Sequence, residues 1–87
     1  MITGRQIRAA RGFLAWDRRD LAKKAVVTLY TIERLETGAE TSGAGTNKAL
    51  TAIKATLEGE GIEFTDGAGV LGVLLHLKKG KAREKSK

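Results

Sequence analysis

The chain has 87 residues, 41% of them hydrophobic, with no cysteine, no proline and a formal net charge of +6. Those figures allow one small globular domain, and they exclude a disulfide framework, a thiolate metal site and, with no apolar run of bilayer-spanning length, a transmembrane helix. The N-terminus carries arginines with no apolar core behind them, so it does not read as a signal peptide and a cytoplasmic location is expected.

The positive charge is uneven. Residues 1–38 hold eight Lys/Arg against four acids, residues 39–77 two against five, and residues 78–87 six against one. A basic excess gathered at two ends of a chain fits a polyanionic partner. Catalysis is not expected. One histidine and no cysteine leave almost nothing from which to build a nucleophile and its base, and no metal-ligand spacing exists.

In chain order, Thr3 opens the first predicted helix, with Gln6 three residues on completing a capping box. Ile7, Ala10 and Leu14 form its inward stripe, Gly12 weakens its end, and Phe13 to Trp16 lead onward. Trp16 reads as a core edge. Asp17 caps a second helix with Leu21, Ala22 and Ala25 inward. Val26 and Val27 make a turn, and Thr28 caps a third helix with Ile32 and Leu35 inward. Gly38 stands where a left-handed C-terminal cap favours glycine. Leu29, Tyr30, Glu33 and Arg34 are left facing outward, with Tyr30 one turn before Arg34 and able to pack along its stem.

Residues 39–45, AETSGAG, read as a loop, and no Gly-Lys-Ser/Thr follows to make it a phosphate cradle. Thr46 or Asn47 is expected to cap a fourth helix, with Leu50, Ile53 and Leu57 inward and an end near Gly59 or Gly61. Lys48 then falls in its first turn, against the helix dipole, where a bound phosphate would account for it. From Ile62 the period changes to two. Ile62–Thr65 alternates, Asp66-Gly67-Ala68-Gly69 reads as a turn, and Val70–Leu77 is an apolar run, together a β-hairpin. Gly67, Gly69 and Gly72 fit Gly-x-Gly-x-x-Gly, but no helix and no βαβ unit follow, so a dinucleotide site is rejected. Val73, Leu75 and Leu77 are expected to face the helices. Leu71 and Leu74 are expected to face water and form a dimer interface. His76 reads as a surface strand residue, and residues 78–87 as a disordered basic tail.

Asp17–Gly38 resembles the helix-turn-helix of the lambda-repressor-like (Cro/C1, Xre family) transcriptional regulators. The resemblance rests on Leu21-Ala22, Ala25, Val27-Thr28, Thr31-Ile32, Leu35-Glu36 and Gly38. The opening MITGRQIRAARGFLAWD is similar to the first helix of short members, and the likeness spans residues 1 to about 65. It implies a mainly α fold, a bundle of about four helices, here with a C-terminal β-hairpin. The organisation is then a helix-turn-helix domain over 1–61, a dimerisation hairpin over 62–77 and the tail over 78–87. The implied function is sequence-specific binding of double-stranded DNA as a small transcriptional regulator, a homodimer on a palindromic operator. The recognition helix, Thr28–Thr37, would lie in the major groove. Carried over by position, Leu29, Tyr30 and Arg34 face bases, Arg18 reaches in from the preceding helix, and Thr28 with its helix N-terminus holds a phosphate. Arg11 and Glu36 stand where members hold a partly buried ion pair. Two departures are visible: Val26 stands where members usually have glycine, and Leu29 and Tyr30 stand where polar residues are common. The rival reading is a protein-interaction module, antitoxin-like or an anti-repressor partner, using the exposed apolar recognition helix and hairpin. No cofactor, metal, membrane or small-molecule ligand is expected.

Overall fold

A capping box sets the start of the fold. In the computed structural model, which describes residues 2–38, 44–67 and 70–77, the Thr3 hydroxyl accepts from the Gln6 amide at 3.2 Å. Gln6 Oε1 accepts from the Thr3 amide at 2.9 Å. These two bonds satisfy donors that an uncapped first turn leaves open. Helix α1 (Gly4–Leu14) buries Gln6, Ile7 and Ala10. It runs on past Gly12 to Leu14, so Phe13 and Leu14 are helical, and Phe13 is not the lead-in expected from the sequence. Its first residue lies against the end of α3: a Cβ on Gly4 would come within 2.2 Å of the Leu35 carbonyl oxygen. Only glycine fits there.

Helix α2 (Arg18–Ala25) is capped by Asp17, and Asp20 answers it, giving a second capping box at 2.8 and 2.9 Å. The Asp20 amide, first among several donors, holds the Asp17 carboxyl below the ordinary range. Helix α3 (Leu29–Thr37) is capped by Thr28 and ends at Gly38, which is left-handed with φ of 77°. The turn between α2 and α3 is made by Val26 (φ 57°, ψ 50°) and the half-buried Val27.

Helix α4 (Ala44–Gly59) starts earlier than the sequence suggests. Thr46 and Asn47 lie inside its first turn rather than capping it, and Lys48 is its fifth residue, past the first turn. The dipole argument for Lys48 therefore loses its basis. Of the expected 39–45 loop, Ala44 and Gly45 are helical, and 39–43 lie outside the described residues.

Strand β1 (Ile62–Gly67) pairs antiparallel with β2 (Val70–Leu75), from Ile62 opposite Leu75 to Gly67 opposite Val70. Asp66 and Gly67 thus belong to the strand, not to the turn, and Ala68 and Gly69 lie outside the described residues. One core holds everything together: Ile7, Leu21, Ile32, Ile53 and Leu57 are fully buried, and Ile62 joins them. The hairpin is therefore part of the same core as the helices. Gln6 fastens it, its Nε2 donating to the Thr65 and Gly72 carbonyls at 3.0 Å each.

The register corrects the reading of the hairpin faces. Side chains alternate along a strand, so Leu71 shares the helix-facing side with Val73 and Leu75, while Leu74 points the other way. Leu71 is nonetheless half-exposed, because it lies toward the turn end of the strand. Leu77 lies beyond β2 and is 65% exposed rather than packed on the helices. Among the described residues no helix is long and apolar enough to cross a membrane. The tail, 78–87, lies outside them.

Candidate nucleic-acid interface

Helix α3 is held by its inner side and offers the other. Ile32, Leu35 and Glu36 are buried. Glu36 is the unusual one, a carboxylate whose side chain is wholly shielded. It accepts from Arg11 Nε at 2.7 Å and Arg11 Nη2 at 2.9 Å, and from Arg18 Nε at 3.1 Å. Burial pushes its pKa up, but the Arg11 and Arg18 hydrogen bonds outweigh this and leave it below the ordinary value. The same bond holds Arg11 above its usual value. The pair implied by resemblance is therefore present as a bidentate contact, and Arg18 is a third member. Its Nε is tied inward to Glu36, a partner the sequence reading did not assign to it.

On the outer side, Tyr30 is 63% exposed. Arg34 lies over its ring, with the guanidinium carbon 5.3 Å from the centroid, and Arg34 Nη1 donates to the Tyr30 hydroxyl at 2.6 Å. The i, i+4 spacing thus yields one unit, in which the aromatic ring supports the cation from below and the hydroxyl fixes its fork. Leu29, Glu33 and Arg34 are half-buried rather than fully outward.

The helix forms a ridge between two hollows. One is lined by Thr28, Tyr30, Thr31 and Arg34 of the α3 segment and by Thr46 and Lys48 of α4. The other is lined by Leu29 and Glu33 with Arg11, Asp17, Arg18 and Arg19. Thr28, Tyr30, Arg34 and Lys48 are thus brought together, while Leu29 and Arg18 lie on the opposite flank of α3. Thr28 accepts from the Thr31 amide at 3.1 Å, and the two hydroxyls are 2.9 Å apart. This places hydroxyls and the helix N-terminus, which can receive an anion, along the first hollow, whose lining also includes Val26, Val27, Leu35, Ala49 and Ala52.

Arg19 was not singled out from the sequence, and Thr31 and Thr46 were singled out for other roles, Thr31 in the family resemblance and Thr46 as a helix cap. Thr31 could have been found, since it follows the Thr28 cap at the reciprocal i+3 position. Thr46 required the true start of α4. Elsewhere Lys24 stands over the half-buried Trp16 at 5.4 Å, in keeping with Trp16 as a core edge. Among the described residues no group of His, Cys, Asp or Glu could hold a metal ion. Comparison with protein-family models and with curated proteins finds no match to this chain.

Proposed function

We propose that this chain binds double-stranded DNA sequence-specifically, as a small transcriptional regulator with a lambda-repressor-like arrangement of its helices. The observation that carries this reading is the Tyr30–Arg34 unit on the outward side of a short capped helix. A fork held above an aromatic ring is preorganised for the O6 and N7 acceptors of guanine in the major groove. Thr28 and the first turn of α3 hold a phosphate on one flank, with Lys48 beside them. Arg18 and Arg19 lie along the other flank. The operator is palindromic and is read by a homodimer.

Selection from a random duplex library tests this directly. The expected outcome is one two-fold-related site whose affinity falls steeply as salt rises. Arg34→Ala should cost about 1–3 kcal/mol on that site and relax preference at one position per half-site. An equal loss on random DNA would make Arg34 a phosphate contact. The exposure of Val26 (87%) together with Tyr30 favours a second reading, an interaction module for another protein. Its signature is no enriched duplex and an association insensitive to salt.

A further inference from the structure

Helices α3 and α4 are each held mainly by other elements, α3 by α1 and α2, and α4 by α2 and β1. Between their facing sides lies a hollow of about 660 Å³. That volume falls within the range of small-molecule sites, roughly 300–1,000 Å³. Its floor is apolar, with Val27 and Leu35 facing Ala49 and Ala52 of α4. The two alanines make the space, because longer side chains at these helical positions would fill it. Its rim is polar and cationic, with Thr28, Tyr30 and Arg34 on one side and Lys48 on the other. No acid is among the described residues that line it.

The mouth of the hollow gives a second sign. Val26 stands there, 87% exposed and left-handed at φ 57°. It bears backbone strain and gains almost no burial. Tyr30 beside it is 63% exposed. A molecule seated in the hollow covers both.

We propose that this hollow binds a small anion with a flat apolar body, an aromatic carboxylate. The lining sets each half of that chemistry. A bare inorganic anion would meet Arg34 and Lys48 and leave the floor in water. A neutral apolar molecule would cover the floor but strip water from the two cations without pairing them. A cation is repelled by both and by the N-terminal end of α3. An anion with an apolar body satisfies floor and rim together. Its flatness follows from the walls, two helix sides with the Tyr30 ring at the entrance as an offset stacking partner. An apolar protein contact accounts for Val26 and Tyr30 but not for cations above a recessed floor. The site shares Tyr30 and Arg34 with the surface proposed to read DNA, so ligand and duplex exclude each other. That exclusion rests on the DNA-binding reading; the site itself does not.

The probe is 2-naphthoate, and 2-naphthylmethanol has the same body without the charge. Added to the full chain without DNA, 2-naphthoate should shift the methyl resonances of Val26, Ala49 and Ala52 along a one-to-one saturation curve. It should bind ~10-fold or more tightly than the alcohol, as a charge-assisted contact requires. Ala52→Leu fills the floor while leaving both cations, and should weaken 2-naphthoate ~10-fold or more. Lys48→Gln alters an exposed side chain and should narrow the preference for acid over alcohol. Val26→Gly separates binding from stability: it relieves the strained corner yet should weaken the probe ~3-fold, because an apolar contact is lost. Methyl groups that do not move, an alcohol that binds as tightly as the acid, or an unchanged preference in Lys48→Gln would each overturn the site. With the selected duplex present, 2-naphthoate should release the parent chain and not Ala52→Leu. Saturable binding without release would overturn the exclusion alone, and failure to select any duplex would count against the DNA-binding reading alone.

Discussion

The corners joining α1 to α2 and α2 to α3 follow the same backbone path and are secured differently. Each turns on a non-glycine residue in the left-handed region, Ala15 at φ 58° and Val26 at φ 57°. Each then returns the next amide to a carbonyl five residues back, Trp16 to Arg11 and Val27 to Ala22, both at 3.0 Å. Each buries half of that next residue and ends on a cap, Asp17 or Thr28. The first corner is clamped from outside. Arg11 Nη1 donates to the Trp16 carbonyl at 3.0 Å while its other nitrogens grip Glu36, and Arg18, the first residue after the corner, grips Glu36 as well. The second corner places a β-branched residue, 87% exposed, in a conformation such residues disfavour. One path is thus held by a side-chain clamp, while the other carries backbone strain beside the helix proposed to read DNA.

The clamp is the larger quantity. Glu36→Ala leaves two guanidinium groups without their buried acceptor and should lower stability by about 3 kcal/mol, measured by denaturant unfolding. The same residue sets an acid limit. The Glu36 pKa is lowered in the folded chain, so its stabilising contribution is full above the ordinary 4.5 and is lost as pH falls through the folded value. The parent chain should therefore lose stability below about pH 4.5 more steeply than Glu36→Gln, which lacks that titration. Parallel pH curves for the two would remove the clamp from the account.

The second corner should respond more modestly. Thr28→Ala deletes the cap and should cost about 1 kcal/mol. Val26→Gly relieves left-handed strain of about 1–2 kcal/mol, offset by the greater freedom of glycine in the unfolded chain, roughly 0.5–1 kcal/mol. A net gain of up to about 1.5 kcal/mol and a higher melting temperature are expected. The smallest effect belongs to Ala15→Gly, a few tenths of a kcal/mol, because alanine lacks the β-branch. A larger gain at Ala15 than at Val26 would reverse the ranking of the two corners.

Local chemistry carried most of the helical half into the sequence. Thr3 with Gln6, Asp17, Thr28 and Gly38 act on their near neighbours, and each stands where spacing put it. The Tyr30–Arg34 contact was legible for the same reason. What was not legible depends on distance or on residues with two uses. The Arg18–Glu36 bond joins helices whose approach no local pattern specifies. Ala15 carries no signal of its left-handed turn, since alanine is the best helix former. The start of α4 was misjudged because Thr46 and Asn47 are good caps that the chain does not use as such. Leu71 and Leu74 were both assigned to the water-facing side, although strand alternation sets residues an odd number apart on opposite sides. Leu77 lost its place in the strand because β2 ends two residues earlier.

Gln6 has a consequence for truncation of the chain. Its carboxamide oxygen is used at once, by an amide three residues away, but its nitrogen waits for carbonyls 59 and 66 residues further on. A chain cut at residue 61 would lack both of those acceptors and leave the Gln6 amide protons to water. One side chain thus ties the first helix to both strands of the hairpin, so loss of either strand leaves a polar group of the helix unsatisfied.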